Sequence, residues 1–575
     1  MENELRAIKN DIECLRLNSA EVGINKLLKS YPSDIDLLVV KLHILHAESK
    51  HEEIISTIKS IIVLDPNNIA AHDTHIQTLI DLGHLPEARH LLETKLSIKM
   101  SEERRNYLDF HLNYSEKNWD RVVQIGRKII AEADDIAVSS RMMMAASKAC
   151  MFDEHQNLSK SVLSSIRNDS LAIEPLHLLT ISDEPSLILS NNKRYSQNND
   201  KAAIIAKNSG QNDCPEKDQK IKIGYFSPDF GNHPITHLIS GLIRGHNRLR
   251  YEIIGINIGP RREDKYTRRI TKEFDIFYDY RRESGEAIAN LSRKMGIDIA
   301  VDLCGHTAFH KSSLFYNRAA PIQINYLGTP CTLGTSVHDY IITDDYIEDS
   351  PEGSVYSEKP LVLSGGFQCN DDSKYVVRRV YNKSDFGIDS NQFVFGCFSS
   401  PQKINKSLLQ AWIRILLSVD NSVIFLYIIG ENSRARMTSY FSEYGIEPRR
   451  IIYAEKLAYE AHLERYAVCD LVLDTHPFCG GATASDALWA GVPLLSISGK
   501  SFSSRMSSSL LYYLDLNELI TESLQSYSEV AITLARNPAA LLSISEKIEE
   551  RRGKFFNSKD FVQRFESGIE SILSC

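Results

Sequence analysis

Hydrophobic positions along this chain follow one period up to about residue 180 and another after residue 220. In the first stretch they recur at helical spacing, in paired blocks separated by short polar turns. The turn Tyr31-Pro32-Ser33-Asp34 returns as Asp65-Pro66-Asn67-Asn68, thirty-four residues on. The same step passes a weak copy near Met100-Ser101 and then reaches Ala133-Asp134-Asp135 and Asn168-Asp169. Junctions between paired helices keep that register: Glu48 to Ile54, Leu82-Gly83-His84-Leu85-Pro86-Glu87-Ala88, and Glu116 to Val122. Gly83 is placed to close one helix and Ala88 to pack in the next.

A helix pair repeating every 34 residues is the tetratricopeptide signature. About four repeats are expected over residues 1–180, the third and fourth degenerate. Such units bury their apolar faces only against neighbours, so they stack into a curved solenoid whose concave face can hold a polypeptide. Residues 181–219 are polar and poor in large apolar side chains; they predict a linker, a loop or tether with a short helix at 201–207.

From Ile221 short apolar runs alternate with helical patterns. Strands are predicted at 221–227, 251–259, 297–303, 322–327 and 340–343, and again at 393–398, 423–430, 450–454, 471–474 and 494–497. Strands alternating with helices make parallel sheets with right-handed crossovers. The length is too great for one such sheet, so the region divides near residue 383 into two Rossmann-like lobes, 220–382 and 383–575. Ligands of such lobes lie beyond the carboxyl ends of the strands, here in the cleft between them.

Polar groups gather at those strand ends. The run Leu471 to Leu473 ends at Asp474, and a turn-rich loop with Pro477, Gly480 and Gly481 leads into a short helix closed by Gly491. Loop residues Gly481, Ala482 and Thr483 carry no bulky side chain, which suits either a phosphate against helix N–H groups or an ordinary βα turn. His233 stands just before a predicted helix, as a base, a hydrogen-bond partner or a cap, and His237 follows one turn later. Cys304-Gly305-His306-Thr307 follows another strand, where a hydrogen-bonded structural His306 is the plainer expectation. Lys403 lies between a strand end and a helix start; it either neutralises charge on a departing diphosphate or is a solvated loop lysine. His462 and Arg465 share one face of a helix. Gly499 to Arg505 opens a second small-residue helix. Asp344-Asp345 reads as a turn after a strand, and no Asp-x-Asp pair occupies a strand end in the cleft, so a route without metal is expected. Neither a GxGxxG fingerprint after a strand, nor a Walker loop, nor a spaced Ser-His-Asp set is present.

Composition narrows this further. A net charge of −9 argues against nucleic acid as the main partner. Ten cysteines occur singly, without CxxC or zinc spacing, as expected of reduced thiols in a cytosolic protein. The N-terminus is charged from its second residue, with no sign of a signal peptide, and no apolar stretch approaches the ~20 residues of a membrane helix. A cytoplasmic protein without membrane contact is the expectation.

Together, Asp229-Phe230-Gly231-Asn232-His233-Pro234, Cys304-Gly305-His306-Thr307, Ala320-Pro321-Ile322-Gln323, Asp339 to Asp344, Lys403-Ile404, Asp470 to Pro493 and Ser504-Arg505 resemble the protein O-linked N-acetylglucosamine transferase/SPINDLY family. The resemblance covers roughly residues 221–510 in the family's order, with the repeat array in front. It implies an α-helical tetratricopeptide solenoid followed by an α/β GT-B fold. It also implies inverting, metal-independent transfer of a sugar from a nucleotide donor to Ser or Thr hydroxyls of proteins, with no cofactor. On that model His233 lies by acceptor and donor sugar, and Lys403 stabilises the leaving diphosphate. His306 is carried over with the nucleotide-sugar site. His462 and Arg465 match the nucleotide-contacting helix, Thr483 a diphosphate-binding hydroxyl, and Asp486 the carboxylate for the ribose hydroxyls. The animal enzymes have His-Thr-Thr where this chain has Gly481-Ala482-Thr483, and a family lysine is here Tyr459. UDP-N-acetylglucosamine is the expected donor. GDP-fucose or UDP-glucose on the same fold, and a repeat scaffold with a degenerate transferase half, are the alternatives. The acceptor polypeptide would lie in the solenoid groove.

Overall fold

The computed structural model describes residues 2–13, 17–47, 51–94, 100–168, 171–207, 219–260, 262–353 and 355–573. Among them, twelve helices run from Glu2 to Lys207 before the first strand. The 34-residue recurrence has a local cause. Asn68 caps the helix Ile69–Asp81 by accepting from the Ala71 N–H, Ser101 caps Glu102–Ser115 through Arg104, and Asp135 caps Ile136–Lys148 through Ala137 and Val138. Asp34 accepts from the Leu37 N–H in the same manner.

The junctions repeat as well. Gly83, Lys117 and Cys150 all have left-handed backbone (φ 76°, 61° and 58°) and donate to Ile80, Tyr114 and Ser147 carbonyls in turn. Only the first is glycine, so the motif is plain in the sequence at one junction of three. The first junction begins on Glu48-Ser49-Lys50, which lie outside the described residues, as does Asp169.

Residues 185–207 form one helix, Pro185–Lys207, which takes in the short helix expected at 201–207 and extends through residues 185–200, where polar composition predicts a loop or tether. The reason is that several of its polar side chains are buried and paired, not solvated. Asn192 donates to the Thr332 carbonyl at 2.7 Å, Asn191 pairs with both backbone groups of Ile173, and Ser196 donates to the Leu333 carbonyl. Residues 208–218 of the predicted linker lie outside the described residues.

The first lobe is a parallel sheet of seven strands: β1 (Ile221–Ser227), β2 (Tyr251–Asn257), β3 (Ile276–Asp279), β4 (Ile299–Asp302), β5 (Ile322–Asn325), β6 (Tyr340–Thr343) and β7 (Lys359–Val362), in the order 3-2-1-4-5-6-7. The second has β8 (Phe393–Cys397), β9 (Ser422–Leu426), β10 (Ile451–Tyr453), β11 (Leu471–Leu473), β12 (Leu494–Ile497) and β13 (Ile520–Thr521), in the order 10-9-8-11-12-13. Each sheet therefore reverses direction once, between β1 and β4 and between β8 and β11. The strands absent from the sequence reading are β3, β7 and β13. All three are short edges, and β3 and β7 have two or three exposed residues each, so no continuous apolar run marks them.

Two packing relations tie the parts together. The last helix, Ser558–Leu573, returns to the first lobe, outside the second lobe to which a boundary at 383 assigns it. Its Phe561, Val562, Phe565 and Ile569 sit in the core of β1 and the helix Pro234–Gly245, and Glu566 pairs with His246. The end of the solenoid packs on the second lobe: Ser147 donates to the Pro401 carbonyl, and Cys150 and Phe152 join that lobe's core. No helix among the described residues is long and apolar enough to cross a membrane.

Candidate functional site

Both reversal points carry the loops singled out by sequence. The loop after β1 holds His233, that after β4 holds His306, that after β8 holds Lys403, and that after β11 runs through Asp474 to Gly481. In parallel sheets the crevice at such a reversal is where strand-end loops diverge and leave room for a ligand.

In the second lobe the two loops are joined by a cation. Lys403, half-buried, donates to the Cys479 carbonyl at 2.8 Å and lies 3.7 Å from the centroid of the Phe478 ring. Among the described residues no carboxylate forms an ion pair with it. Burial holds its ammonium below the usual lysine range. The neighbouring loop is shaped from within: Asp474 accepts from the Gly480 N–H at 2.9 Å and from the Ser496 hydroxyl at 2.8 Å. Gly481 is the N-cap of helix Ala482–Trp489 and supplies no side-chain cap. A Cβ on Gly480 would stand 2.6 Å from the Thr483 hydroxyl and 3.1 Å from the Ala484 nitrogen, so only glycine leaves this helix start open. An ammonium with no ion pair among the described residues, held by the loop that leads into a helix start without a side-chain cap, is chemically suited to an anion.

The helix Tyr459–Tyr466 lies next to it. Tyr466 donates to the Thr483 carbonyl, and His462 packs edge-on against Phe398 and Tyr466. Burial pushes His462 down to about 3, with Arg465 adding to the shift, so the ring is neutral; its buried Nδ1 has no partner. Arg465 donates to the Glu455 carbonyl and stacks on Phe398 at 4.4 Å, with its buried Nε unpaired. Buried polar atoms are nearly always satisfied, so two orphans on one helix face mark a place where a ligand can supply the partners.

Asp486, one turn into its helix, accepts from the Tyr459 hydroxyl at 2.8 Å and from Lys374 at 3.2 Å. The Lys374 and Asp486 side chains are 2% and 7% exposed. Tyr459 in turn lies flat on His237 of the first lobe, 3.7 Å between ring centroids and 9° between planes. Glu460 adds a tie to Lys265 and Tyr266 of the first lobe. Thus the lobes meet at Tyr459 and Glu460, at the position where the resemblance implies a lysine. Lys374 escapes sequence reasoning because it stands outside any helix or strand, on the segment joining the lobes, with no motif around it. Asn370 on the same segment, hydrogen-bonded to Ser485, escapes for the same reason.

His233 caps the helix Pro234–Gly245: its Nδ1 accepts from the Ile235 N–H at 3.3 Å. That bond assigns the proton of the neutral ring to Nε2. Burial lowers its affinity for a second proton, opposed by Asp229, which Arg262 holds at 2.7 Å. His306 is placed differently. Its Nε2 is bonded to the Leu333 carbonyl and its ring packs on Tyr195 of the helix Pro185–Lys207. No hydrogen bond or ring contact among the described residues joins it to Lys403, His462 or Asp486. Arg505 also stands apart: it gives its donors to the Tyr346, Asp349 and Gly499 carbonyls, bracing the two lobes.

A helical solenoid stacked on two Rossmann-like parallel sheets, each with one reversal of strand order, defines a GT-B type fold. Residues 191–383 and 372–565 match the model of glycosyl transferase family 41, and the chain belongs to that family. It is 29% identical over 426 residues to a probable UDP-N-acetylglucosamine–peptide N-acetylglucosaminyltransferase SEC of Arabidopsis thaliana, covering 70% of this chain and 43% of the relative. It is 28% identical over 367 residues to a probable enzyme of the same description, SPINDLY, of Petunia hybrida, covering 62% of this chain and 39% of that one. The chain thus spans less than half the length of these plant relatives. An O-GlcNAc transferase of Thermobaculum terrenum has the same fold, with a TM-score of 0.67 at 21% identity over 94% of this chain and 97% of that one.

Proposed function

We propose that this chain is a protein O-glycosyltransferase moving N-acetylglucosamine from UDP-N-acetylglucosamine to Ser or Thr hydroxyls, with inversion and without a metal. The observation that carries the reading is Lys403: an ammonium with no ion pair among the described residues, acted on by Asp474 only at longer range and fixed by the Cys479 carbonyl beside the uncapped helix start at Gly481-Ala482-Thr483. Charge that builds on a departing diphosphate would be met there by a cation and helix N–H groups already in place, which is where electrostatic catalysis is most effective. In-line attack by an acceptor hydroxyl, held in the cleft, supplies the proximity term. The unpaired His462 Nδ1 and Arg465 Nε face the nucleoside in this reading. His233, with its proton on Nε2, serves as a hydrogen-bond donor to acceptor or sugar. Asp486 reaches ribose hydroxyls on the side left free by Lys374 and Tyr459. His306 positions the loop after β4 rather than touching the donor.

The test is incubation of the purified full chain with radiolabelled sugar nucleotides and cell lysate. Label in protein, or release of UDP from the donor, is expected. No labelling and no hydrolysis with any sugar nucleotide would overturn the reading and leave the non-catalytic scaffold.

Tyr459 supports a second reading, the same chemistry with another donor. It occupies the family lysine's position and is committed to Asp486 and His237, so ribose and base contacts differ from those the resemblance implies. A thermal shift larger with GDP than with UDP would favour GDP-fucose; transfer of glucose would favour UDP-glucose.

A further inference from the structure

A recess of ≈ 630 Å³ lies where the solenoid meets the second lobe. Its walls include Lys117, Trp119 and Lys148 from the solenoid, and Gln402, Tyr427 and Asn432 from the lobe. Gln402 directly precedes Lys403, so the recess adjoins the loop that holds the anion site.

Its charges do not balance internally. Lys148 is half-buried with its ammonium 4.5 Å from the Trp119 ring centroid. Among the described residues no carboxylate forms an ion pair with Lys148 or Lys117. Of the two acidic residues on the walls, Asp120 is bonded to Arg436. The other, Glu431, is exposed at the start of the helix Glu431–Glu443, and the charges that act on Lys148 are those of Lys117 and Glu174. Burial, then Lys117, pushes Lys148 down to about 8. A partly desolvated ammonium next to a second one gains most from an incoming anion, because the bond is charge-assisted and the repulsion is relieved. Trp119 and Tyr427 offer flat apolar area beside it.

We propose that this recess selects acceptor polypeptides carrying an acidic side chain near the modified hydroxyl, with Lys148 and Lys117 as the residues that bind the carboxylate. This rests on the transferase reading for the word acceptor, and on the recess itself for the binding. The occupant is an acidic polypeptide because one wall belongs to the repeat solenoid, the other adjoins the Lys403 loop, and two ammoniums without ion pairs among the described residues, Lys148 and Lys117, complement a carboxylate beside the flat Trp119 and Tyr427 rings.

The experiment uses the full chain with synthetic peptides that hold one serine, flanked in turn by Glu, Gln or Lys at each position. Binding is read by fluorescence anisotropy and transfer by mass spectrometry. The wild-type protein is expected to prefer Glu over Gln by about tenfold at one or two positions, the scale of one charge-assisted bond. The preference should vanish in Lys148→Gln and survive in Lys148→Arg, with the nucleotide-induced thermal shift unchanged in both. Equal binding of Glu and Gln peptides by the wild type, or a Glu preference that persists in Lys148→Gln, would overturn the proposal. So would loss of the nucleotide shift in Lys148→Gln, which would assign the ammonium to the donor. Glu-selective binding without transfer to any peptide would support the recess and count against the transferase reading alone.

Discussion

Lys403 and Cys479 lie on different loops of the second lobe, and the ammonium of the first donates to the carbonyl of the second at 2.8 Å. One neutral oxygen and one ring do not discharge a cation, so this contact aims the charge and leaves it available to an anion. Lys403→Ala is therefore expected to reduce nucleoside diphosphate release from the donor by roughly 10²–10³, the scale of a lost preorganised donor. The melting temperature should move little, because no buried carboxylate is left unpaired. Full activity in that variant would remove Lys403 from the mechanism.

Lys374 and Asp486 behave in the opposite way. Both are enclosed, and each is the other's only opposite charge within ion-pair distance among the described residues. Breaking such a pair from one side costs about 3–5 kcal/mol. Asp486→Ala should lower the free energy of urea unfolding by that amount, whereas Tyr459→Phe, which removes one hydroxyl bond to the same carboxylate, should cost about 1 kcal/mol. Equal costs for the two variants would contradict the buried pair.

Several histidines are held neutral by burial: His237 and His462 down to about 3, His111, His155, His177 and His306 to about 4. Their unfolded value is about 6.5. The unfolded chain therefore binds more protons below pH 6.5, and stability present above that pH is lost progressively as pH falls towards 4. Unfolding followed at pH 7, 6 and 5 should show that decline. His155→Gln, outside the cleft, should flatten it by one proton's contribution. A profile flat between pH 7 and 5 would refute the assignment.

Gly480 carries a steric prediction. A methyl group there meets the Thr483 hydroxyl at 2.6 Å and the Ala484 backbone nitrogen at 3.1 Å, at the mouth of the helix start. Gly480→Ala should diminish or abolish the thermal shift given by UDP or GDP, with β11 and its sheet intact by circular dichroism. An undiminished shift would move the diphosphate elsewhere.

Much of the architecture is legible in sequence because it is local. The caps at Asp34, Asn68, Ser101 and Asp135 act within three residues, so a solenoid unit writes its period directly into the chain. Buried central strands leave apolar runs, and the loops after them carry the histidines and lysine that mark a site. Three edge strands leave no such run. The helix Pro185–Lys207 is misread because Asn191, Asn192 and Ser196, polar by type, are buried against carbonyls that lie far away in sequence.

What the sequence determined by itself is therefore the order of parts: a repeat array, two parallel-sheet lobes, and a set of polar strand ends that together identify a glycosyltransferase family. Tertiary structure alone decided which of those groups meet. It brought Lys374 to Asp486 across 112 residues, laid Tyr459 on His237, and returned the last helix to the first lobe. It also tied His306 and Arg505 to the backbone carbonyls of Leu333 and Tyr346. The physical reason is range: propensity, capping and hydrophobic period act over a few residues, whereas pairing a buried charge depends on where two distant segments pack, and no local pattern records that.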